Sequence, residues 1–387
     1  MFSSRFHWDS HPNRLTLALA KRRASGRPIL DLTQSNPTQA CLHYPRGIVA
    51  ALADSQVLTY EPSPAGMVAA REAVAAYYRT RGVDVATNRI LLTASTSEAY
   101  AYLFKLLADP GDEVLVPRPS YPLFEFLATM ESVQVRTYSL AYHGAWGVDM
   151  PTVEAALSPR TRAIVLVNPN NPTGSYLKSA ELIELMRLCR ERDLALLSDE
   201  VFSDYAFAAD PVRVATLADV DQCLTFSMSG LSKVAGLPQM KLGWIVVNGP
   251  SPLREQAMEK LEWIADTFLS VSTPVQCAAA QLLEAGAEVQ RQIRERTAAN
   301  LAFTRDTLSG SAANLLDVEG GWYVVLQVPR VRSEEEWALD LLESEGVLVQ
   351  PGFFYDFETE AYLIVSLLTE PSIFREGLAR LRSVVSR

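Results

Sequence analysis

The sequence contains little of what metal centres and disulfide frameworks are built from. Its 387 residues include only four cysteines and four histidines. No two cysteines form a CxxC pair and the histidines lack metal-ligand spacing, which argues against a zinc enzyme and a histidine-based catalytic triad. The histidines are His7, His11, His43 and His143. Scattered cysteines are typical of reduced thiols, so we expect a cytoplasmic protein.

The chain also lacks a basic balance and a long apolar run. Its net charge of −10 argues against nucleic acid or an anionic membrane as the main partner, because both require a basic face. No segment approaches the roughly 20 apolar residues that cross a bilayer. The opening residues, MFSSRFHWDSHPNRL, contain no apolar stretch that resembles a signal peptide. We therefore expect neither a membrane nor a nucleic acid as partner.

Short apolar runs alternate with helical patterns in the first two thirds of the chain. Because the runs are strongly apolar and helices separate most of them, they predict an α/β fold with a mainly parallel, seven-stranded sheet flanked by helices. The predicted strands are NRILLT, EVLVP, VQVRTYSL, RAIVLVN, LALLSD, CLTFSM and KLGWIVV.

The pattern changes after Pro274. A long helical stretch precedes GGWYVVLQV, a further helix and AYLIVSLL, which predicts a smaller α+β domain completed by the N-terminal segment. A chain of 387 residues also exceeds the usual size of one compact core. We expect a small domain formed by residues 1–50 and 285–387, and a large domain formed by residues 51–284.

Three polar residues lie at or shortly after the ends of predicted strands. Asn171 follows AIVLV, Asp199 follows LALL, and Lys233 follows CLTFSM. Because ligands bind beyond the carboxyl ends of parallel strands, we expect these side chains to share one site. A lysine, an aspartate and an asparagine there could hold a flat, charged cofactor from three sides, which is what pyridoxal phosphate needs.

Each of these residues suits one part of that cofactor. Lys233 lies among small residues in SGLSKVAGLPQMKLG, and burial or the nearby Lys241 would lower the pKa of its amine and make it nucleophilic. Asp199 would keep a pyridinium nitrogen protonated, and the amide of Asn171 in NPNNPTG would lie beside the phenolic oxygen. Taken singly, the alternatives are a solvated lysine, a capping aspartate and a plain turn.

Two further segments could bind the phosphate and the ring. TASTSEA places Thr96 and Ser97 at the start of a helix, where backbone N–H groups form an anion site, and Ser232 and Lys241 could complete a phosphate cup. In PSYP, the ring of Tyr121 could stack on a flat heterocycle. An ordinary helix cap and a core tyrosine are the alternatives.

Taken together, these segments resemble the class I/II aminotransferases, pyridoxal-phosphate enzymes of fold type I. The resemblance extends from DLTQSNPT to the C-terminal region. The segments that carry it are YEPSPAGMVAAREAVAAYY, LLTASTSEA, PGDEVLVPRPSYP, NPNNPTG, SDEVF, SGLSKVAGLPQMKLGW and PGFF. It implies a pyridoxal 5'-phosphate cofactor and a ping-pong transfer of an amino group between an amino acid, or another amine, and an oxo acid.

The resemblance also implies roles for individual residues. Lys233 would be the Schiff-base lysine, Asp199 the partner of the pyridine nitrogen, Tyr121 the stacking aromatic and Asn171 the ligand of the phenolic oxygen. The residues that match phosphate-binding positions are Thr96, Ser97, Ser232 and Lys241.

Three more positions concern the substrate and a second subunit. The family counterpart of Tyr60 reaches the phosphate of the other subunit, which implies a homodimer with shared active sites. Ser35 and Asn36 match the N-terminal loop that contacts the substrate carboxylate.

Three departures from the family pattern affect these expectations. Phe202 replaces the usual tyrosine that bonds the phenolic oxygen, so we predict a Schiff base that holds its proton to higher pH than is usual. Lys241 replaces a phosphate-binding arginine. Ile364 occupies the place of the arginine that binds the substrate α-carboxylate. Either another arginine, such as Arg14, binds that carboxylate or the substrate is bound differently.

Two other functions stay open from the sequence. The same scaffold hosts other pyridoxal-phosphate reactions, among them those of lyases, decarboxylases and racemases. A regulator with an aminotransferase-like sensor domain would need a DNA-binding module ahead of that domain. Here the aminotransferase pattern begins by Asp31 and the chain is acidic, which argues against it.

Overall fold

The computed structural model describes residues 2–6, 8 and 11–387. Its strands are β1 (Leu30–Asp31), β2 (Ile90–Thr93), β3 (Glu113–Arg118), β4 (Gln134–Tyr142), β5 (Trp146–Val148), β6 (Thr161–Val167), β7 (Ala195–Asp199), β8 (Thr225–Gly230), β9 (Gly243–Asn248), β10 (Asn314–Leu315), β11 (Tyr323–Gln327), β12 (Val347–Leu348), β13 (Gln350–Pro351) and β14 (Tyr362–Ser366).

The helices lie between and after these strands. They are α1 (Arg14–Ala24), α2 (Gly47–Ala50), α3 (Val68–Thr80), α4 (Thr96–Leu107), α5 (Phe124–Met130), α6 (Met150–Ala156), α7 (Ser179–Arg192), α8 (Leu231–Val234), α9 (Ser251–Asp266), α10 (Thr273–Cys277), α11 (Ala279–Leu308), α12 (Glu334–Asp340) and α13 (Pro371–Val385). A π-helical turn, Leu341–Glu345, continues α12.

Eight strands form the large sheet, in the order β2-β9-β8-β7-β6-β3-β4-β5. The pairings β8–β7, β7–β6, β6–β3 and β3–β4 are parallel. All seven predicted strands are present, and the α/β fold with a mainly parallel sheet is confirmed. The predicted count of seven is wrong by one, because β5 adds an antiparallel edge strand whose three residues are too few to show a pattern.

Helices cover both faces of this sheet because its strands are apolar on both faces. Along β6, Ala163 and Val165 pack into one core, whereas Ile164 and Leu166 pack into another. This alternation follows from the two-residue period of a strand. It explains why the sequence shows continuous apolar runs rather than alternating ones.

The loops that carry the predicted site all leave the sheet at one end, where the parallel strands have their carboxyl ends. Strands β2 and β8 both pair antiparallel with β9, so that Thr93 and Gly230 lie opposite Gly243, the first residue of β9. Strands β6 and β7 run parallel to β8, so Val167 and Asp199 end at the same edge. The topology therefore gathers segments that are distant in sequence.

A second, smaller region is built around an antiparallel sheet with the order β10-β11-β14-β13. The N-terminal segment joins it, because β1 pairs parallel with β12 and Leu32 packs in the same core as Phe374. The predicted boundaries, residues 1–50 with 285–387 against 51–284, remain a prediction. Within the described residues, no helix combines the length and apolar character that a bilayer crossing requires.

Candidate active site

A cavity of about 330 Å³ lies at the edge of the large sheet where these strands end. This volume is in the range of small-molecule sites, roughly 300–1,000 Å³. Of the eleven predicted site residues, those that line it are Ser35, Thr96, Ser97, Tyr121, Asn171, Asp199, Ser232, Lys233 and Lys241. Asn36 and Tyr60 are not part of its lining. The structure thus brings nine predicted residues together, while their individual roles stay predictions.

Lys233 lies on α8, the single helical turn that follows β8. Burial lowers the pKa of its amine, and the charge of Asp199 acts in the opposite direction. Its Nζ is 5.8 Å from the centroid of the Phe202 ring and 5.7 Å from that of the Trp322 ring. The amine therefore has an aromatic surrounding, unlike a solvated loop lysine.

Asp199 is the last residue of β7, and both of its carboxylate oxygens accept a hydrogen bond. Tyr100 donates its hydroxyl to Oδ2, and the backbone N–H of Val201 donates to Oδ1, each at 3.2 Å. Burial raises the pKa of Asp199 to about 6, although these bonds and the charge of Lys233 lower it. A carboxylate desolvated in this way gains from a cationic partner, such as a protonated ring nitrogen.

Asn171 contributes a buried amide with unused hydrogen-bonding capacity. Within the described residues, its Oδ1 has no hydrogen-bond partner. The neighbouring Asn170 is fully engaged, because it accepts from Ser120 at 3.0 Å and donates to the carbonyl of Pro119 at 3.0 Å and to Thr173 at 2.9 Å. An unpaired buried acceptor costs about 1–3 kcal/mol, and a ligand that donates to Oδ1 would offset that cost. An ionised phenolic oxygen accepts, so it would pair with the Nδ2 of the same amide instead.

The first turn of α4 also lines the cavity. Ser95 is the capping residue, since its hydroxyl accepts the N–H of Glu98 at 3.2 Å. Thr96 and Ser97 are therefore left facing the cavity rather than serving as the cap. Gly243 permits this approach, because a Cβ at its position would lie 3.1 Å from the carbonyl carbon of Ser95. Backbone N–H groups and hydroxyls here form an anion site.

The remaining predicted residues differ in how they meet the cavity. Lys241 is exposed and has the left-handed backbone conformation, with φ at 54°. Tyr121 is 47% exposed, which is not the burial of a core tyrosine. Asn36 caps the short helix Pro37–Gln39, where its Oδ1 accepts the N–H of Thr38 at 3.0 Å. Tyr60 is 70% exposed in the single chain.

The structure also shows where Phe202 and Ile364 lie, two of the residues that depart from the family pattern. Phe202 lines the cavity and packs edge-on against Trp322, with ring centroids 5.2 Å apart. Ile364 is fully buried on β14 and does not line the cavity. The suggestion that Arg14 replaces the missing arginine is not supported, because Arg14 lies outside the lining and bonds Glu335 at 2.8 Å.

Tyr323 is a lining residue that the sequence interpretation missed. It begins β11, burial raises the pKa of its hydroxyl to about 12, and the Ser35 side chain acts in the opposite direction. The signal was the two-residue period of GGWYVVLQV, which sets Tyr323 on the same face as Val325. That period could not show that this face meets the edge of the large sheet. Phe124, after PSYP, was missed for the same reason.

These residues fit pyridoxal phosphate. Asp199 is a half-buried acid for the ring nitrogen, and Asn171 lines the cavity with an amide whose Nδ2 can donate to the phenolic oxygen. The first turn of α4 and Lys241 offer donors and a positive charge for a phosphate. In contrast, no three His, Cys, Asp or Glu side chains in residues 2–6, 8 and 11–387 are grouped to hold a metal ion. His7 lies outside the described residues.

Comparisons with known proteins agree with this fit. The family model described as aminotransferase class I and II matches residues 27–373. The glutamate-pyruvate aminotransferase of Escherichia coli K12 is 33% identical over 215 residues, 55% of this chain and 53% of that enzyme, so the chain spans about half the length of this relative. The same-named enzyme of Haemophilus influenzae is 27% identical over 380 residues, 93% of this chain and 91% of the relative.

Solved structures show the same architecture. A double mutant of the Thermus thermophilus aspartate aminotransferase is 26% identical and superposes with a TM-score of 0.85 over 99% of both chains. The alanine aminotransferase of Pyrococcus furiosus, at 23% identity, gives a TM-score of 0.89 over 100% of this chain and 99% of that one, which shows a shared fold. By its match to the family model over most of its length, the chain belongs to the class I and II aminotransferases, which use pyridoxal 5'-phosphate.

Proposed function

We propose that the protein is a pyridoxal-phosphate-dependent aminotransferase that works by a ping-pong cycle through Lys233. The observation that carries the proposal is the lysine amine itself: it is half-buried in the same cavity as Asp199, and desolvation there lowers its pKa. The names of the relatives in E. coli and H. influenzae support the same reaction class.

The chain's own residues have distinct tasks in this proposal. Bound pyridoxal phosphate supplies an electron sink next to the carbon that carries the amino group. The uncharged amine of Lys233, which burial favours, takes a proton from that carbon and returns it. Asp199 holds a proton on the ring nitrogen. Asn171 bonds the phenolic oxygen, and Tyr121 stacks on the ring.

The remaining tasks concern the phosphate, which needs donors and positive charge. Thr96 and Ser97 present hydroxyls at the start of α4, while Ser232 lies next to Lys233 on α8. Lys241 adds one positive charge without the bidentate geometry of an arginine.

A single half-reaction tests the reaction class. The holoenzyme is mixed with an amino donor and the pyridoxamine phosphate formed is quantified, together with any carbon dioxide or ammonia released. Aminotransfer is expected to give one equivalent of pyridoxamine phosphate per site and neither gas. Release of carbon dioxide or ammonia would instead identify a decarboxylase or a lyase, and inversion of an unconsumed donor would identify a racemase. Lys233→Ala serves as the control without a nucleophile.

We also propose a cytoplasmic homodimer with shared active sites. Tyr60, expected to reach the phosphate of the other subunit, does not line the cavity of its own chain and is 70% exposed. Leu58 and Phe268 are likewise exposed, at 88% and 52%, so a partner that covers them would bury apolar surface. The molar mass of the holoenzyme from light scattering is expected to be twice 42.7 kDa. A monomeric mass in active holoenzyme would contradict the proposal.

A further inference from the structure

The charged side chains that this chain contributes to the cavity leave none to hold a substrate carboxylate. In the described lining, the only side chains that carry a full charge at neutral pH are Asp199, Lys233 and Lys241. The proposed function assigns Asp199 and Lys241 to the ring nitrogen and the phosphate. Lys233 must be uncharged to take a proton. No cationic side chain of this lining is therefore left over for the substrate.

The wall that faces the substrate is neutral. The uncharged lining residues Phe124, Phe202, Tyr323 and Ser35, which the proposed function does not assign to the cofactor, belong to it. Burial raises the pKa of Tyr323 to about 12, so its hydroxyl stays uncharged. A carboxylate placed here would lose its hydration and gain only hydroxyl groups, and burying a charge without an opposite charge is strongly unfavourable.

The layer behind this wall is also neutral. Tyr323 and Val325 lie on the same face of β11, and Ile364 pairs with Val325 and with Gln350 on the neighbouring strands. Tyr355 donates its hydroxyl to the side-chain oxygen of Gln350 at 2.6 Å. Aliphatic and hydroxyl groups thus occupy this part of the small sheet, and Ile364 is completely buried among them.

Arg14 and Arg118 both make their contacts outside this cavity. Arg14 bonds Glu335 at 2.8 Å and is two-thirds exposed. Arg118 lines a neighbouring cavity, where its Nε donates to the carbonyl of Asp356 at 2.8 Å and its guanidinium lies 3.7 Å from Glu358. Neither lines the cofactor cavity.

We infer that this enzyme exchanges the amino group between amines and carbonyl compounds whose reacting carbon carries no carboxylate, with an apolar or aromatic substituent in its place. The inference rests on the proposed function. In the first half-reaction the amine nitrogen passes to the cofactor and the amine leaves as an aldehyde or ketone, its new oxygen coming from water. A second carbonyl compound then accepts the nitrogen and releases water. Both compounds use one cavity, so the same restriction applies to both.

Matched pairs that differ only in the carboxylate test this on the wild-type holoenzyme. The pairs are 2-phenylethylamine with phenylalanine, and ethylamine with alanine, each followed in single turnover by the loss of the cofactor's visible band. In both pairs the amine is expected to react with at least a tenfold higher second-order rate constant. An amino acid that reacts faster than its decarboxylated partner would overturn the inference. If a partner subunit supplied a cation to the cavity, the amino acid would likewise react faster than the amine, and the inference would be overturned.

A binding measurement gives a readout that does not depend on turnover. Calorimetry compares 3-phenylpropanol with 3-phenylpropanoate, which are similar in shape but differ in charge. The alcohol is expected to bind the holoenzyme at least tenfold more tightly than the acid, and tighter binding of the acid would contradict the inference. Borohydride reduction, which should label Lys233 in either case, separates this failure from failure of the proposed function. Without that label, the proposed function itself is wrong.

A variant can then add the missing charge. Ile364 lies outside the lining but pairs with Val325, on the same face of β11 as the lining residue Tyr323, so the longer side chain in Ile364→Arg would extend towards the cavity. This variant is expected to shift preference at least tenfold towards the amino acid of each pair, whereas Ile364→Met, which is neutral, should leave it unchanged. Folding of both variants is checked by circular dichroism and by the cofactor's visible band. If Ile364→Arg fails to fold, the wild-type pairs and the calorimetry still decide the question.

Discussion

The two sides of the cavity differ sharply in charge and in origin. The cofactor side belongs to the ends of parallel strands and carries Asp199, Lys233, Lys241 and the unpaired amide of Asn171. The wall that faces the substrate includes Tyr323 from the small sheet and has no charged group in the described lining. Because Tyr323 and Ser35 lie outside the large sheet, this part of the wall can change its chemistry while the strand ends keep the geometry that holds the cofactor.

The largest expected effect concerns the lysine on the cofactor side. Lys233→Ala removes both the nucleophile and the proton-transfer group, so the half-reaction should slow by at least about 1,000-fold. Rapid mixing with an amine measures the loss of rate. Borohydride labelling of the peptide that contains residue 233 measures the loss of the nucleophile. Lys241→Ala is the matched control, because it removes a lysine from the same cavity and should keep the label. An unchanged rate in Lys233→Ala would place the chemistry on another residue.

The next effect comes from the buried acid. Asp199→Asn removes the partner that keeps the ring nitrogen protonated, and a hydrogen bond to a charged group is worth about 1.5–3 kcal/mol. The half-reaction should therefore slow by roughly 10- to 150-fold, while the Lys233 peptide stays labelled. Tyr100→Phe, which removes only one hydrogen bond to the carboxylate, should have a much smaller effect.

Asp199→Asn should also stabilise the protein without cofactor. Burial raises the pKa of Asp199 to about 6, above its unfolded value of about 3.9. Between these values the folded state binds more protons than the unfolded chain, so this residue's contribution to the free energy of unfolding falls as pH rises through the window. Urea unfolding of the apoprotein should find Asp199→Asn more stable than wild type above pH 6, by at most about 3 kcal/mol. The difference should shrink towards pH 4.

The cofactor side was largely predictable from the sequence because each of its residues follows a recognisable strand. Asn171, Asp199 and Lys233 follow apolar runs, and the rule for parallel sheets brings such ends to one edge. The helix that starts at Thr96 added the anion site. The alternative, that Thr96 or Ser97 is an ordinary helix cap, does not hold, because Ser95 caps the helix.

The substrate wall could not be predicted in the same way. Tyr323 meets the cavity through the packing of two sheets, and no local pattern encodes that contact. Ile364 was located only through the family resemblance, and its complete burial needed the structure. Asn36 and Tyr60 lie outside the cavity of their own chain, so their expected roles depend on the substrate or on a second subunit.

Phe202 belongs to the substrate wall but lies close to the cofactor side, so a hydroxyl added at this position should change the protonation of the Schiff base. It lines the cavity close to the amine of Lys233. A new hydrogen bond to the ionised phenolic oxygen, worth about 1.5–3 kcal/mol, should make the Schiff base lose its proton roughly one to two pH units lower in Phe202→Tyr than in wild type. Titration of the visible spectrum measures both midpoints. Phe202→Leu, which adds no donor, should keep the wild-type midpoint.

The smallest expected effect lies at the exposed end of the cofactor side. Lys241→Asn removes one positive charge at the proposed phosphate site, but the lysine is exposed and water screens it, so the interaction is worth only about 1 kcal/mol. The dissociation constant of pyridoxal phosphate should rise roughly fivefold at low salt, and less at high salt because ions screen the charge in the wild type. Asparagine tolerates the left-handed conformation at this position, where φ is 54°, so the backbone should not change. Equal affinities at low salt would mean that the helix start and the serine hydroxyls bind the phosphate without help from this lysine.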